Sequence, residues 1–369
     1  MSPSPVPYGQ PPVAPATCGP PRIEELSAAL ERAATATGRR KVAVLTHRNP
    51  DPDAMGACVG MRVLLRALGY EAEAHTMGRI YRAENLAMMR ELEFGFLPYD
   101  ALDTDSICGA VLVDTQPGFG HTIVPDGVEV LAVFDHHQGS GHEAANRPPV
   151  AFEDVRLDMG ATSSIVYAYL EAAGVDLDTN TATSLFCGVR YDTGDLSVDA
   201  TELDEEAYFH CLRRADRTAL ASIGRPRLPQ SYYRELHRAL RMARRFGPAV
   251  VGLLGPVENP ESVAELADFF VRMHGCEWAL VGGVYEGEYY LSLRTRLGGR
   301  EAYAILAELL DGEGSFGGHG RIAGGRVALG EGGKLAVRRL ERRIRTRVLR
   351  VVDPDKRFSD DERLGCTLT

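Results

Sequence analysis

The chain lacks the marks of several protein classes. Its seven cysteines (Cys18, Cys58, Cys108, Cys187, Cys211, Cys276, Cys366) are scattered and form no C-x-x-C pair. An odd, dispersed set in 369 residues predicts reduced, mostly structural thiols and a cytoplasmic protein. No apolar run approaches the roughly 18 residues that span a bilayer, so no membrane segment is expected. The N-terminus has no basic stretch followed by an apolar one, and no signal peptide is expected. There is no excess of positive charge either. A net charge of -10 argues against indiscriminate binding to long nucleic acids, duplexes included. It leaves room for a small anionic ligand, because bound divalent ions invert the local field.

The chain is long enough for two domains, each with its own core. Residues 1–20 are rich in Pro, Gly and Ser and read as a disordered arm. Ile23 to Ala34 carries apolar residues at helical spacing. Strand-like and helix-like segments then alternate: KVAVLTH, MGACVGMRVLLRALG, GAVLVDT, VEVLAVFDHH, ATSSIVYAYLEAAG. This predicts an α/β fold with a mostly parallel sheet flanked by helices. Residues 204–246 read as a helical linker, interrupted by GRPRLP at 224–229. A smaller α/β unit is expected over 247–350, with a strand in PAVVGLL, a helix in ESVAELADFFVRMHG and a hairpin in EWALVGGVY and EYYLSLRTR. The helix EAYAILAELLDG and the glycine-rich loop GSFGGHGRIAGG follow. Residues 334–350 form a basic helical segment and 351–369 a polar tail.

Four acidic clusters carry the chemistry. They are His47-x-x-x-Asp51-x-Asp53, Asp114 in AVLVDT, Asp135-His136-His137, and Asp192 in GVRYDTGD. Each follows a short apolar run that reads as a strand. In open α/β sheets ligands collect beyond the carboxyl ends of strands. A single aspartate there is more often a turn residue or a helix cap than a ligand. Four clusters in order are different: imidazoles and carboxylates together are what a two-metal phosphate-cleaving site needs. His47 and Asp51 suit one ion, Asp53, His136 and Asp192 a second, and Asp114 can bridge them. His75, His121, His142, His210, His237 and His274 lie outside the clusters and read as structural or exposed.

These motifs resemble the DHH phosphoesterase superfamily over about residues 40–330. The second half resembles its DHHA1 domain, through Ser292-x-Arg294-Thr295, Gly317-Gly318-His319 and Ala323-Gly324-Gly325. The resemblance implies a DHH domain over 21–203 and a substrate-binding DHHA1 domain over 247–350. It implies two Mn²⁺, with Mg²⁺ or Co²⁺ able to substitute, held by His47, Asp51, Asp53, Asp114, His136 and Asp192. Asp114, Asp135, His136 and His137 would be catalytic, with Asp135 orienting the histidines. His137, Ser292, Arg294, Thr295, Gly317, Gly318 and His319 would hold the substrate. The family usually has serine where Thr295 stands, and a threonine where Tyr191 precedes Asp192.

Architecture narrows the expected activity. The chain has no length for the oligonucleotide-binding domain of RecJ-type exonucleases. It lacks the membrane segments of the cyclic-dinucleotide enzymes. Family II pyrophosphatases lack the glycine-histidine signal. What remains is similar to stand-alone bacterial nanoRNase/pAp phosphatases. These imply hydrolysis of short oligoribonucleotides to mononucleotides, or of pAp to AMP and phosphate, by a two-metal activated hydroxide, in a family that commonly forms homodimers. A cyclic-di-AMP or pApA phosphodiesterase is the nearer alternative. A non-hydrolytic nucleotide-binding regulatory module is the other, and it predicts lost metal ligands.

Overall fold

A computed structural model describes residues 19–119, 121–138, 150–198, 200–296, 299–330 and 333–368. The expected arm, apart from Gly19 and Pro20, lies outside the described residues, as do Cys18 and His142. The chain divides into two compact units. One comprises the described residues up to 80 with 84–226, the other 81–83 with 227–368.

The first unit contains α1 (Ile23–Thr37), β1 (Lys41–Leu45), α2 (Pro52–Ala67), β2 (Glu71–Thr76), α3 (Ala83–Glu91), β3 (Leu97–Pro98), β4 (Gly109–Val113), β5 (Val130–Asp135) and β6 (Glu153–Val155). Four helices follow: α4 (Thr162–Ala172), α5 (Thr179–Asp192), α6 (Glu202–Arg214) and α7 (Arg217–Gly224). The strands form one parallel sheet in the order β3-β2-β1-β4-β5-β6. Every residue of β4 and β5 is buried, as a parallel sheet covered on both faces requires. Alternation divides their side chains. Val42, Val44, Val111 and Phe134 join the large core with α1, α2, α4 and α5. Ala43, Leu45, Leu112 and Val133 join a smaller cluster with Leu102, Val124 and Val128. The strand order reverses between β1 and β4, so their carboxyl ends flank a topological switch point.

One sequence expectation is corrected here. The run before Asp192 is not a strand but helix α5, and Asp192 is its last residue. Residues 181–189 are all buried, because α5 packs inside the unit against α2, α4 and α6. An apolar run of this kind cannot be assigned by periodicity; its 14 residues, longer than a typical strand, were the better guide.

The second unit contains α8 (Gln230–Met242), β7 (Arg244–Phe246), β8 (Ala249–Pro256), α9 (Glu261–Val271), β9 (Trp278–Tyr285), β10 (Glu288–Thr295), α10 (Ala302–Leu310), β11 (Ser315–His319), β12 (Ile322–Ala328), α11 (Gly333–Val352), α12 (Asp360–Leu364) and β13 (Cys366–Thr367). Its sheet runs β11-β12-β10-β9-β8-β7-β13; β8 and β9 are parallel and the other pairs antiparallel. The expected hairpin is β9–β10, turned at Glu286 and Gly287, whose φ of 46° and 84° suit a two-residue hairpin turn. Val250 and Val281 face α8 and α9, while Val251 and Leu280 face α10 and α11. The expected helical linker over 204–246 divides: α6 and α7 lie in the first unit, α8 packs on β8 in the second, and the last three residues of the stretch are strand β7 rather than helix.

The glycine-rich segment expected as a loop is a second hairpin, β11–β12. Gly318 has φ 148°, and a Cβ there would meet the Ile322 carbonyl oxygen at 2.3 Å. That glycine admits the partner strand. Among the described residues no helix is long and apolar enough to cross a membrane.

Candidate metal centre

The first motif is a strand end, a turn and a helix start. His47 lies two residues beyond β1, and its Nδ1 donates to the Arg48 carbonyl at 3.0 Å, which turns Nε2 inward. Asp51 is the N-cap of α2: Oδ1 accepts from the N–H groups of Asp53 (3.1 Å) and Ala54 (3.0 Å). The same oxygen stands 4.0 Å from His47 Nε2. Pro52 fills the first helical position, where its missing N–H costs nothing.

Asp53 points into the protein and is fully buried. It accepts from the N–H groups of Thr162 (2.7 Å) and Ser163 (2.8 Å), the first two residues of α4. The N-cap of α4 is Ala161, which has no capping side chain, so Asp53 caps that helix from a distant part of the sequence. Close packing permits this. A Cβ on Gly188 of α5 would lie 2.1 Å from Ser163 Oγ and 2.9 Å from Asp53 Oδ1.

Asp114 follows β4 in a left-handed conformation, φ 57°, which costs an aspartate on the order of 1 kcal/mol. Thr162 Oγ1 donates to its Oδ1 at 2.9 Å. Three imidazoles surround it. His47 Nε2 lies 3.4 Å from Oδ2; His136 Nε2 and His137 Nδ1 lie 3.7 and 3.5 Å from Oδ1. Asp135, the last residue of β5, is fully buried and turned toward its own neighbours. Its Oδ1 accepts from the backbone of His136 and His137 and pairs with His137 Nδ1 at 2.9 Å. Its Oδ2 accepts from Gln116, which also donates to the His137 carbonyl. His136 Nδ1 donates to the Met159 carbonyl at 3.0 Å, so Nε2 faces Asp192 at 3.2 Å.

Three groups of potential ligand atoms result: His47, Asp51 and Asp114; Asp53, His136 and Asp192; Asp114, His136 and His137. Within each group the atoms lie within 4.8 Å of one another. The six residues expected as metal ligands are thus brought together.

Charge and unmet bonding show that this set fits divalent cations. Asp114 Oδ2 and His136 Nε2 are buried and make no well-aligned hydrogen bond, although His47 and Asp192 face them at 3.4 and 3.2 Å. Burial and the charges of Asp114 and Asp192 push the Asp53 carboxyl well above its usual range. Burial and the charge of Asp51 push Asp192 up to about 6. Burial opposes ionisation of Asp114 too, but the His47 contact and the charges of His137, His47 and His136 hold its carboxyl well below the usual range. Burial pulls the histidines down, yet carboxylates outweigh it. Asp114 and Asp51 raise His47 to about 10, Asp192 and Asp114 raise His136 to about 11, and Asp135 and Asp114 raise His137 to about 9. Protons thus stand where cations would neutralise the same carboxylates.

Sequence reasoning passed over the residues that hold these groups: Gln116, Met159, Thr162, Ser163 and Gly188. Asp204 belongs with them. Fully buried on α6, it accepts from Gly160 N, Ser164 Oγ and Thr201, fixing the segment between Met159 and Thr162. Hydroxyls and amides this common carry no signal by themselves. His121, read as structural or exposed, packs edge-on against His47 with ring centroids 5.6 Å apart.

The residues expected to bind substrate lie in the second unit. Arg294 on β10 is buried. Its Nε donates to Asp268 on α9 at 2.5 Å, and its Nη1 to Ser292 Oγ at 2.7 Å and the Leu293 carbonyl at 3.2 Å. Nη2 has no protein partner among the described residues. Arg82 Nη2 donates to the other Asp268 oxygen at 3.1 Å. Ser292 therefore positions Arg294. The Thr295 hydroxyl is buried and unpartnered. Strand register puts Ser292, Gly324 and Gly317 in one row across the sheet, and Arg294, Ile322 and His319 in another.

The DHH family, N-terminal domain, matches residues 41–189. An uncharacterized protein from Methanocaldococcus jannaschii is 29% identical over 316 residues, 84% of this chain and 63% of that protein. A probable manganese-dependent inorganic pyrophosphatase from Streptococcus thermophilus is 31% identical over 188 residues, 50% of this chain and 58% of that protein. The chain thus spans about three fifths of the length of these relatives. Among solved structures, an exopolyphosphatase-related protein from Bacteroides fragilis superposes with a TM-score of 0.66 at 14% identity, over 87% of this chain and 97% of that one. RecJ from Thermus thermophilus superposes with a TM-score of 0.52 at 16% identity, over 94% of this chain and 56% of that one. At these identities the two structures show a shared fold.

Proposed function

We propose, from the match of residues 41–189 to the DHH family's N-terminal domain, that this chain is a divalent-metal-dependent phosphoesterase. In this reading it hydrolyses short oligoribonucleotides to mononucleotides, or pAp to AMP and phosphate. The observation that carries the reading is the convergence of three groups of potential ligands on one switch point, with Asp114 Oδ2 and His136 Nε2 buried and lacking a well-aligned hydrogen bond.

Two Mn²⁺ are the proposed cofactors. His47, Asp51 and Asp114 would hold one; Asp53, His136 and Asp192 would hold the other beside Asp114. Mixed imidazole and carboxylate donors suit such an ion, and the Streptococcus thermophilus relative is named as manganese-dependent. Bound there, the ions would supply Lewis acidity at the phosphoryl group and lower the pKa of an attacking water.

The chain's own residues do the positioning. Carbonyl acceptors at Arg48 and Met159 fix the His47 and His136 rings with Nε2 inward. Asp135 accepts from His137 Nδ1 and so directs the ring, which would let a proton on Nε2 pass to a phosphoryl oxygen or the leaving group. In the second unit, read as a DHHA1 substrate-binding domain, Asp268 and Ser292 fix the Arg294 fork and leave Nη2 for an anionic oxygen. Gly317 on β11 is the further substrate contact of this reading; the side chain of His319, expected beside it, lies outside the described residues.

Hydrolysis of inorganic pyrophosphate is a second reading, favoured by the relative that matches half of the chain. The deciding experiment is turnover of Mn²⁺-loaded protein on pAp, RNA of two to five nucleotides, cyclic-di-AMP and pyrophosphate. Mononucleotides from short RNA, or AMP from pAp, support the first reading. Activity on pyrophosphate alone replaces it with the second, and activity on cyclic-di-AMP alone makes the protein a cyclic-dinucleotide phosphodiesterase. No turnover with any metal would sink the enzymatic reading.

A further inference from the structure

Helix α11 inverts the charge of the chain that carries it. The protein has 51 acidic and 41 basic residues, yet Gly333–Val352 holds eight basic residues and one acidic. Two contacts fix its rotation. Leu340, Ile344 and Val348 are buried in the second unit's core. Arg343 and Arg347 pair with Glu313 beyond the end of α10. The acidic residue, Glu341, is taken up by the Tyr289 hydroxyl at 3.0 Å.

Six cations remain, all exposed and without an acidic partner among the described residues: Arg339 and Arg350 on one flank, and a single row of Lys334, Arg338, Arg342 and Arg345. Helical geometry places that row within an arc of about 80°, as a stripe about 16 Å long with steps of about 4.5–6 Å. Like charges three and four residues apart destabilise a helix by a few tenths of a kcal/mol per pair. This surface therefore carries a small cost that a partner of opposite charge would reverse.

We propose that this stripe, on the unit that does not carry the metal centre, is a docking site for the phosphate backbone of single-stranded RNA. Three of its four cations are arginines, whose planar forks match phosphate oxygens. A bilayer is the poorer partner, because an interfacial helix must offer its apolar face and this one is buried in the core. The net charge of -10 and the stripe are compatible: the chain repels nucleic acid in general and accepts it along one line. The site does not depend on hydrolysis, so it stands or falls apart from the phosphoesterase reading.

The test uses the full chain in chelator, which prevents cleavage, and a fluorescein-labelled 12-nucleotide RNA without secondary structure. Four phosphate contacts predict a log–log salt slope of about -2.8, or about 50-fold weaker binding at 200 than at 50 mM salt. The triple variant R338E/R342E/R345E should lose at least tenfold in affinity and most of that slope. A triple alanine variant should bring the slope to about -0.7 and serves if the charge reversal fails to fold. Both variants should turn over pAp or a dinucleotide as the unaltered protein does. Three results would each overturn the proposal: a flat salt slope in the unaltered protein, an undiminished slope in the alanine variant, or preference for a 12-base-pair duplex or phosphatidylserine vesicles over the single strand.

Discussion

The two units hold their charged groups in opposite ways. In the first, buried carboxylates crowd together, and they raise the pKa of the imidazoles that stand among them. In the second, the buried Arg294 is matched by Asp268, with one guanidinium nitrogen to spare. The first arrangement is incomplete without added positive charge, and its parts act as a unit. The second is balanced, and its parts should fail by degrees. Loss of one group should therefore be all-or-none in the first unit and graded in the second.

Asp114→Ala tests the first half of that contrast most severely. Asp114 belongs to two of the three ligand groups. Its removal should lower turnover at least about a thousandfold on every substrate, since metal-borne stabilisation is worth several kcal/mol. Mn²⁺ binding isotherms should lose affinity in parallel. An enzyme that kept full activity would show that the cluster is not the reactive centre.

Proton competition sharpens the same half. His47 and His136 hold their protons to about pH 10 and 11 in the metal-free protein. A cation needs the neutral rings, so binding must expel those protons. Mn²⁺ affinity should climb from pH 6 to 9, by up to about tenfold per pH unit for each proton displaced. Calorimetry in buffers of different ionisation enthalpy would count the protons. Binding with no proton release would mean that these histidines are not ligands.

Asp268→Asn probes the second unit. Asp268 is half-exposed, so its ion pair should add little to fold stability. Its charge nevertheless orients Arg294 through Nε. A charge-assisted hydrogen bond of about 1.5–3 kcal/mol, partly replaced by the amide, predicts KM raised roughly tenfold with kcat little changed. Collapse of kcat instead would erase the contrast between the units.

The same contrast governs what could be read in the chain. The candidate ligands were legible because histidine and aspartate in ordered clusters carry chemistry in their identity. The groups that hold them were not. Asp53 caps α4 across a long sequence separation, and Thr162, Gln116 and Asp204 act through contacts that exist only after folding. Helix α5 was misread because a buried helix and a buried strand share an apolar run. The β11–β12 hairpin was misread because glycine suggests a loop, whereas Gly318 stands where a side chain would strike Ile322. Arg294 was visible in its motif, but its tether was not, since Asp268 lies in an ordinary amphipathic helix.

His121 is the finest test, because it stands next to the cluster without joining any ligand group. Its ring meets His47 edge-on at 5.6 Å and packs against Phe119 at the same distance, and its carbonyl accepts the Arg48 N–H. Burial and the charges of His47 and His137 lower its pKa, so the ring is neutral at pH 7 beside a charged one. Its role would be to keep the His47 ring from tilting. An aromatic edge contact is worth about 0.5–1.5 kcal/mol, so His121→Ala should weaken Mn²⁺ binding roughly threefold to tenfold, and His121→Phe should restore most of it. If alanine abolished binding as Asp114→Ala should, His121 would itself be a ligand, and the cluster would be larger than six residues.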